Sequence, residues 1–179
     1  METNQTSKLM NYIIAIGFAV GASFGMAGSM VTDHITQMMF YEISSVGLIV
    51  AAVLISGKYA KENSEFVAAG FILFAIAEAV MTAGTASNTT SGSQPSFGAG
   101  MALYVPSLLL ISIQRTFATF IRATGILTSI PFAIASAKIF MGGEVPETSI
   151  LPSIGYTLLT ITIVGWIWTI LRKQKSLYQ

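Results

Sequence analysis

Apolar runs separated by short polar breaks take up almost the whole chain. A helix needs roughly 20 mostly apolar residues to cross a bilayer, and six runs approach or exceed that length: residues 9–31, 35–57, 66–87, 97–113, 117–140 and 150–171. The strands of a membrane barrel are about half as long and alternate between apolar and polar residues, whereas these runs do not alternate. We therefore predict an all-α polytopic integral membrane protein, a six-transmembrane-helix bundle that forms a single membrane domain over residues 1–179.

The composition supports this class and excludes others. Of the 179 residues, 53% are hydrophobic and 9% are charged, and the mean hydropathy is +0.71, so the lipid bilayer is the expected surrounding. The net charge of +1 does not fit a nucleic-acid-binding protein, which needs a basic patch. The absence of cysteine excludes disulfides, thiolate metal ligands and thiol catalysis. Because the first run is longer than the core of about 7–15 residues in a signal peptide, we expect it to be a retained span.

The distribution of basic residues predicts the orientation, because lysine and arginine accumulate on the cytoplasmic side of a membrane protein. With the N-terminus inside, Arg122 lies within the fifth span and Lys138 falls on the outer side, against the rule. We predict that both termini are cytoplasmic and that the protein lies in the plasma (inner) membrane. If the short fourth span, which contains Pro106, were re-entrant, the orientation after it would reverse. The other seven of the nine basic residues fall inside: Lys8, Lys58, Lys61, Arg115, Arg172, Lys173 and Lys175.

Four small residues recur at every fourth position of the first span: Gly17, Gly21, Gly25 and Ser29. This spacing places them on one face of a helix, where their lack of bulk lets another backbone approach closely. The pattern predicts tight helix packing. It leaves open whether the partner helix belongs to the same chain, which we favour, or to a second copy in an oligomer.

Two glutamates, Glu42 and Glu78, lie within apolar spans. The short charged turn between spans two and three makes an antiparallel hairpin of them. Glu42 lies about 19 residues before the centre of that turn and Glu78 about 17 after it, so at about 1.5 Å per residue their depths match within one helical turn. Both carboxyls are then expected in the outer half of the bilayer, where an unpaired carboxylate is costly.

This pair of acidic residues has two interpretations. In the first, a shared proton or a bound cation satisfies both carboxyls, since like charges at one depth repel each other, and the pair is a proton- or cation-handling site. In the second, each glutamate hydrogen-bonds neighbouring hydroxyl groups, or stays neutral in a polar seam between helices. The polar residues near enough to form such a seam are Tyr41, Ser44, Ser45 and Thr82.

Asp33 and His34 lie at the outer mouth of span two. Asp33 is well placed to cap the N-terminus of that helix. His34, the only histidine, is a candidate for passing protons inward toward Glu42, although an interfacial histidine without this role is the simpler interpretation. Methionines near it would suit Cu(I), but methionine is a common packing residue, so we predict no metal site.

Arg115 and Arg122 are seven residues apart. On a continuous helix they would share one side, where they could hold an anionic headgroup or substrate. The simpler interpretation of Arg122 is that its long side chain reaches back to the inner membrane surface.

The chain contains no residue set for nucleophilic catalysis and no phosphate-binding glycine loop, so we do not expect an enzyme, and no particular cofactor is indicated. We predict a small multi-pass membrane protein that binds or moves a small solute, proton or cation through an acidic intramembrane site. Glu42 and Glu78 are the acidic groups of that site, with His34 and Asp33 at its entrance. The alternative is a non-catalytic accessory subunit, so the expected protein partners are a second copy of the chain or the subunits of a larger membrane complex.

Overall fold

The structure is a computed structural model that describes residues 2–86, 90–146 and 149–176, with side chains over 7–84, 94–146 and 149–172. Each of the six helices contains a segment long and apolar enough to cross a membrane, so this is the architecture of a multi-pass membrane protein. Residue 87, the last of the predicted third span, lies outside the described residues. The helices are α1 (Glu2–Met30), α2 (His34–Lys61), α3 (Glu65–Ala86), α4 (Thr90–Ile113), α5 (Thr119–Phe140) and α6 (Ile150–Ser176).

The helices form a ring in chain order. Each helix packs against its neighbours along the chain, and α6 closes the ring by packing against α1. Consecutive helices run in opposite directions, so the start of α1 and the end of α6 lie at the same end of the bundle. We call this the terminal end, and it also carries the connections after α2 and α4. The opposite end, which carries the connections after α1, α3 and α5, is called the loop end.

α1 and α2 approach each other through their backbones at two glycines. A β-carbon added to Gly17 would lie 2.9 Å from the Gly47 carbonyl oxygen, and one added to Gly47 would lie 2.8 Å from the Gly17 carbonyl oxygen. Closer to the terminal end, Lys58 of α2 donates a hydrogen bond of 2.8 Å to the side-chain oxygen of the buried Asn11 of α1. The two helices are therefore joined by backbone contact at mid-height and by a polar contact near the terminal end.

The small-residue face of α1 continues toward the loop end. The hydroxyl of Ser44 in α2 donates a hydrogen bond of 2.7 Å to the Gly21 carbonyl, and its oxygen would lie 3.0 Å from a β-carbon on Gly25. At these positions the face packs against α2 of the same chain. Ser29, the last residue of the series, is exposed, and its hydroxyl donates to the Met26 carbonyl of its own helix.

Aromatic side chains fill the ring in the half nearer the terminal end. The ring of Phe71 in α3 has its centroid 4.9 Å from that of Trp166 in α6, and 6.1 Å from those of Phe18 in α1 and Tyr59 in α2. Phe117, from the connection between α4 and α5, contacts Phe71 at 6.3 Å. All five side chains are buried. Since they come from four helices and one connection, they close the interior of the bundle at this level.

α4 begins at Thr90, seven residues before the predicted start of the fourth span at residue 97. Serine and glycine in this stretch favoured a loop, because both are weaker helix formers than the residues of the span. The Gln94 side chain explains the difference, since it donates to the Val145 carbonyl (3.1 Å) and accepts from the Val145 amide (3.2 Å). These bonds tie the beginning of α4 to the connection between α5 and α6. Pro95 is the sixth residue of α4, so it removes one backbone hydrogen bond near the beginning of the helix.

Replacing Gly47 by alanine is expected to destabilise the bundle. The added β-carbon would lie 2.8 Å from the Gly17 carbonyl oxygen and 3.2 Å from the Gly21 amide nitrogen, and backbone atoms cannot rotate away. Overpacking of this kind costs about 1–3 kcal/mol. The measurement is the free energy of unfolding of the purified protein in detergent micelles. Gly57, on the same helix, is the control, because nothing lies within 4 Å of a β-carbon there; equal effects at both positions would contradict the close approach of α1 and α2.

Candidate functional site

Glu78 lies inside the bundle, on the part of α3 that faces both α2 and α4, and only 3% of its surface is exposed. Small residues make this position possible. The residues on either side in the chain are Ala77 and Ala79, and a β-carbon on Gly100 of α4 would lie 3.0 Å from the Ala77 carbonyl oxygen. The backbone of α4 therefore lies directly against α3 beside the carboxyl group.

Both carboxyl oxygens of Glu78 accept hydrogen bonds from neighbouring helices. The Ser45 hydroxyl of α2 donates to Oε2 at 2.8 Å, and the Tyr104 hydroxyl of α4 donates to Oε1. The carboxyl group thus connects three helices. Because serine and tyrosine hydroxyls are neutral donors, these bonds do not supply a positive charge to balance an ionised carboxylate.

The surroundings of the Glu78 carboxyl are otherwise aromatic. The Tyr104 ring lies 5.1 Å from that of Phe74 and stacks on that of Phe132 at 5.0 Å. Phe132 in turn meets the ring of Tyr156 edge-on at 5.2 Å. In such a medium a charge is far less well solvated than in water, so the protonation or ion-binding state of Glu78 depends on its few polar neighbours.

One further hydroxyl belongs to this region. Thr82 is four residues after Glu78 and therefore lies on the same face of α3, one turn nearer the loop end. Its side-chain oxygen is buried and has no hydrogen-bond partner among the described residues. Buried polar atoms normally have a partner in protein or water, so this hydroxyl is a candidate to pair with a bound ion or water.

Glu42 lies on the outside of the ring. It is half-buried and lines a groove of about 520 Å³ between α1 and α2 together with apolar residues such as Ile16 and Val46. The structure therefore places the two glutamates in different surroundings, Glu78 inside the bundle and Glu42 on its outer surface. The hydrogen bonds of Glu78 go to Ser45 and Tyr104, whereas the neighbours of Glu42 belong to α1 and to the outer face of α2.

Asp33 caps α2 at the loop end. Its Oδ2 accepts hydrogen bonds from the Thr36 hydroxyl at 2.6 Å and from the Thr36 amide at 2.9 Å. These bonds, the hydroxyl bond first, hold the pKa of the Asp33 carboxyl below its usual value of 3.8. His34 is the first residue of α2 and is exposed. It lines a shallow hollow that extends to Glu42, so the histidine and this glutamate share one surface.

Arg122 caps the end of α4. Its Nε donates to the Ser112 carbonyl at 2.6 Å and its Nη2 to the Ile113 carbonyl at 3.1 Å. The last carbonyls of a helix have no partner within the helix and carry partial negative charge. The guanidinium supplies both the missing hydrogen-bond donors and a positive charge. Arg115 lies exposed in the connection between α4 and α5. The two arginines are therefore not on one continuous helix.

The described side chains contain no group of three or more histidine, aspartate, glutamate or cysteine residues that could hold a metal ion. Comparison with known proteins found no match to this chain among protein-family models, curated proteins or solved structures.

Tyr104, which contributes one of the two hydrogen bonds to Glu78, is not among the residues predicted for the site from the sequence. Counting residues outward from a short turn shows which positions of the two helices lie at equal depth, as it does for Glu42 and Glu78 in spans two and three. In the sequence, the polar stretch between the third and fourth apolar runs, residues 88–96, is rich in serine and glycine and indicates a loop, so the sequence did not fix the register of α4 against α3. The available signal was a tyrosine in the middle of an apolar span, where its hydroxyl needs a partner.

Replacing Tyr104 by phenylalanine is expected to destabilise the protein. The substitution removes a donor to a buried carboxyl oxygen, and leaving such a group unsatisfied costs about 1–3 kcal/mol. The measurement is the free energy of unfolding in detergent micelles. Tyr12→Phe is the matched control, because Tyr12 is 53% exposed and should show no effect. A Tyr104→Phe variant as stable as the original protein would contradict the described bond.

The Asp33 cap predicts a pH-dependent contribution to stability. Since the folded state lowers the pKa of this carboxyl, the contribution is fully present above the unfolded value of 3.8 and is lost as the pH falls through the folded value. Asp33→Ala should therefore lower the melting temperature at neutral pH, and the difference should shrink in acid. In an Asp33→Asn variant the side-chain oxygen still accepts from the Thr36 amide, and the side chain does not titrate. The difference in melting temperature between Asp33→Asn and Asp33→Ala should therefore be the same at neutral and at acid pH.

Proposed function

We propose that this protein binds or moves a monovalent cation, Na⁺ or a proton, at a site inside the membrane formed by Glu78, Ser45, Tyr104 and Thr82. One observation supports the proposal above all others. The Glu78 carboxyl is buried in an apolar bundle, and its hydrogen-bond partners are neutral hydroxyls. A carboxylate in such a place needs a positive charge, or it must be protonated.

The donor set suits a small hard cation. Such cations prefer oxygen ligands, and the side chains that converge here offer a carboxyl and hydroxyls. A hydroxyl that donates its hydrogen to Glu78, as those of Ser45 and Tyr104 do, still has oxygen lone pairs with which it can bind a cation. The Thr82 oxygen, buried without a partner among the described residues, is a further ligand on the same face of α3. A proton on Glu78 satisfies the same charge requirement without further ligands.

The position of the site favours exchange with the loop end. Glu78 lies eight residues before Ala86, the end of α3, which corresponds to about 12 Å along the helix. On the other side, the aromatic cluster around Phe71 and Trp166 closes the interior toward the terminal end. The basic residues predict that the termini are cytoplasmic and that the protein lies in the plasma membrane. In this orientation the loop end faces the outside of the cell, so the ion enters from outside. Asp33 and His34 lie at that end of α2.

The test is the thermal stability of the purified protein in Na⁺ and in choline⁺ at equal ionic strength. A ligand that binds only the folded state stabilises it, by about 2.7 kcal/mol at a hundredfold excess over the dissociation constant. We expect Na⁺ to raise the melting temperature of the original protein and not that of Glu78→Gln. The glutamine amide can still pair with both hydroxyls, so this variant keeps the fold. Glu42→Gln is the matched control and should respond to Na⁺ like the original protein.

Thr82→Val separates ion binding from a structural role. Because the hydroxyl is buried without a partner in the described part of the chain, replacing it by a methyl group should leave the stability in choline⁺ unchanged or higher. The response to Na⁺ should nevertheless fall. For a proton as the ligand, stability should instead depend on pH in the original protein and not in Glu78→Gln, and carbodiimide should label Glu78. A protein whose stability responds to neither Na⁺ nor pH through Glu78, and whose Glu78 is not labelled, would contradict the proposal.

A second candidate function, a subunit of a larger membrane assembly, is supported by a different observation. Glu42 lies in an apolar groove on the outside of the bundle, and no described residue forms a hydrogen bond or ion pair with it. An acidic group on the exterior of a membrane bundle is costly unless a neighbouring molecule satisfies it.

A further inference from the structure

The groove that contains Glu42 is suited to contact with another protein. Ile16 and Val46, on its two sides, are 61% and 58% exposed, so it opens to the outside of the ring. Glu42 is the only charged residue among the described residues that line it. A lipid chain would cover the apolar walls and leave the carboxyl unsatisfied, whereas a protein with a basic side chain at the right depth would satisfy both.

This chain carries such a basic side chain. Lys138 is exposed near the end of α5 at the loop end of the bundle. It is the basic residue that the orientation rule leaves on the outer side. Within one copy it cannot meet Glu42, because α5 packs against α4 and α6, whereas α2 packs against α1 and α3. The two opposite charges therefore lie on different sides of the ring.

The depths of the two groups agree. On α2 and α3, the Ser45 hydroxyl bonds to Glu78, so Glu42, three residues nearer the loop end, lies at about the level of Met81.

The contacts of α4 carry this level across to α5. Gly100 of α4 packs against Met81, and Gly98, two residues nearer the loop end, packs against Ile139 of α5. Lys138 is the neighbour of Ile139 in the chain, so Glu42 and Lys138 lie within about one helical turn of each other in depth, which a lysine side chain can span.

From this charge complementarity at matched depth, we infer that copies of this chain associate side by side in the membrane, with Glu42 in the α1–α2 groove of one copy paired to Lys138 on α5 of the next. The copies share one orientation, which keeps the depths equal. Because the two surfaces differ, the contact is head to tail and generates a ring or a row of copies. The pair removes an unpartnered carboxyl from lipid contact.

Cysteine cross-linking tests the contact directly, and the chain has no cysteine of its own to interfere. Val46, one turn from Glu42, and Ile134, one turn from Lys138, are 58% and 51% exposed, and each lies four residues further from the loop end than its charged residue. The double variant Val46→Cys, Ile134→Cys should form dimers and larger species in native membranes, reversed by reductant. Leu127 lies on the same face of α5 about 10 Å further from the loop end than Ile134. The pair Val46→Cys, Leu127→Cys is the control and should not cross-link.

Charge reversal identifies the pair. In the double-cysteine variant, Glu42→Lys and Lys138→Glu should each lower the yield of cross-linked dimer about tenfold, and the two reversals together should restore it. Restoration by the second reversal is expected only where the two residues interact with each other. Glu42→Gln and Lys138→Gln give the same single-site comparison without adding a charge, should a reversed variant fail to reach the membrane. Restoration by the double reversal would support the contact.

Three results would overturn the inference. A single Val46→Cys variant that forms a dimer by itself would show a symmetric contact of the α1–α2 grooves. A cross-link from Val46→Cys to a different protein, without self-association, would show that the groove serves another partner. Absence of cross-links in every pair, with a monomeric mass in nanodiscs, would show that the copies do not associate.

Discussion

The need to satisfy a carboxyl group in an apolar interior governs the arrangement of α2, α3 and α4. Glu78 accepts from Ser45 on one side and Tyr104 on the other, and losing either donor would leave a buried polar atom unpaired. Keeping both bonds fixes the rotation of the three helices about their axes. It also fixes their relative heights, since each bond joins one position on each helix. The aromatic packing of Phe74 and Phe132 around Tyr104 then follows from where the phenol has to be.

Residue counting predicted depth better than rotation. The short turn after α2 predicts that Glu42 and Glu78 lie at similar depths, and the hydrogen bond of Glu78 goes to Ser45, only three residues from Glu42. Which side of α2 faces α3 was not predictable, because the outside of a membrane helix is as apolar as its buried side and the usual amphipathic signal is missing. The glycine spacing of α1 did carry rotational information, because only small residues allow the backbone contact at Gly17 and Gly47. The number of helices followed from the apolar runs, whereas the start of α4 depended on a tertiary contact.

The polar groups of this bundle are satisfied in different ways, and the comparison shows which of them lacks a partner. Arg122 binds the free carbonyls at the end of α4, and Lys58 binds the buried side chain of Asn11. Each of these contacts stabilises the fold, which explains why a charged side chain is present at that position of the bundle. Glu78 has partners but no countercharge among the residues that the structure describes, and Glu42 has no partner there. Glu78 is therefore a candidate for binding a ligand inside the protein, and Glu42 is a candidate for contacting a partner outside it.

The closure of the ring by its first and last helices has a consequence for biosynthesis. Ribosomal synthesis delivers α1 and α2 to the membrane before the other four helices, and their backbone contact can form as soon as both are inserted. The flank of α1 that carries Phe18 has to wait, because its partner Trp166, 5.6 Å away between ring centroids, lies in α6, which is made after the other five. Until α6 arrives, the five earlier helices form an open crescent with aromatic rings facing lipid. The tertiary structure of α1 is thus completed by a helix that is made five helices later.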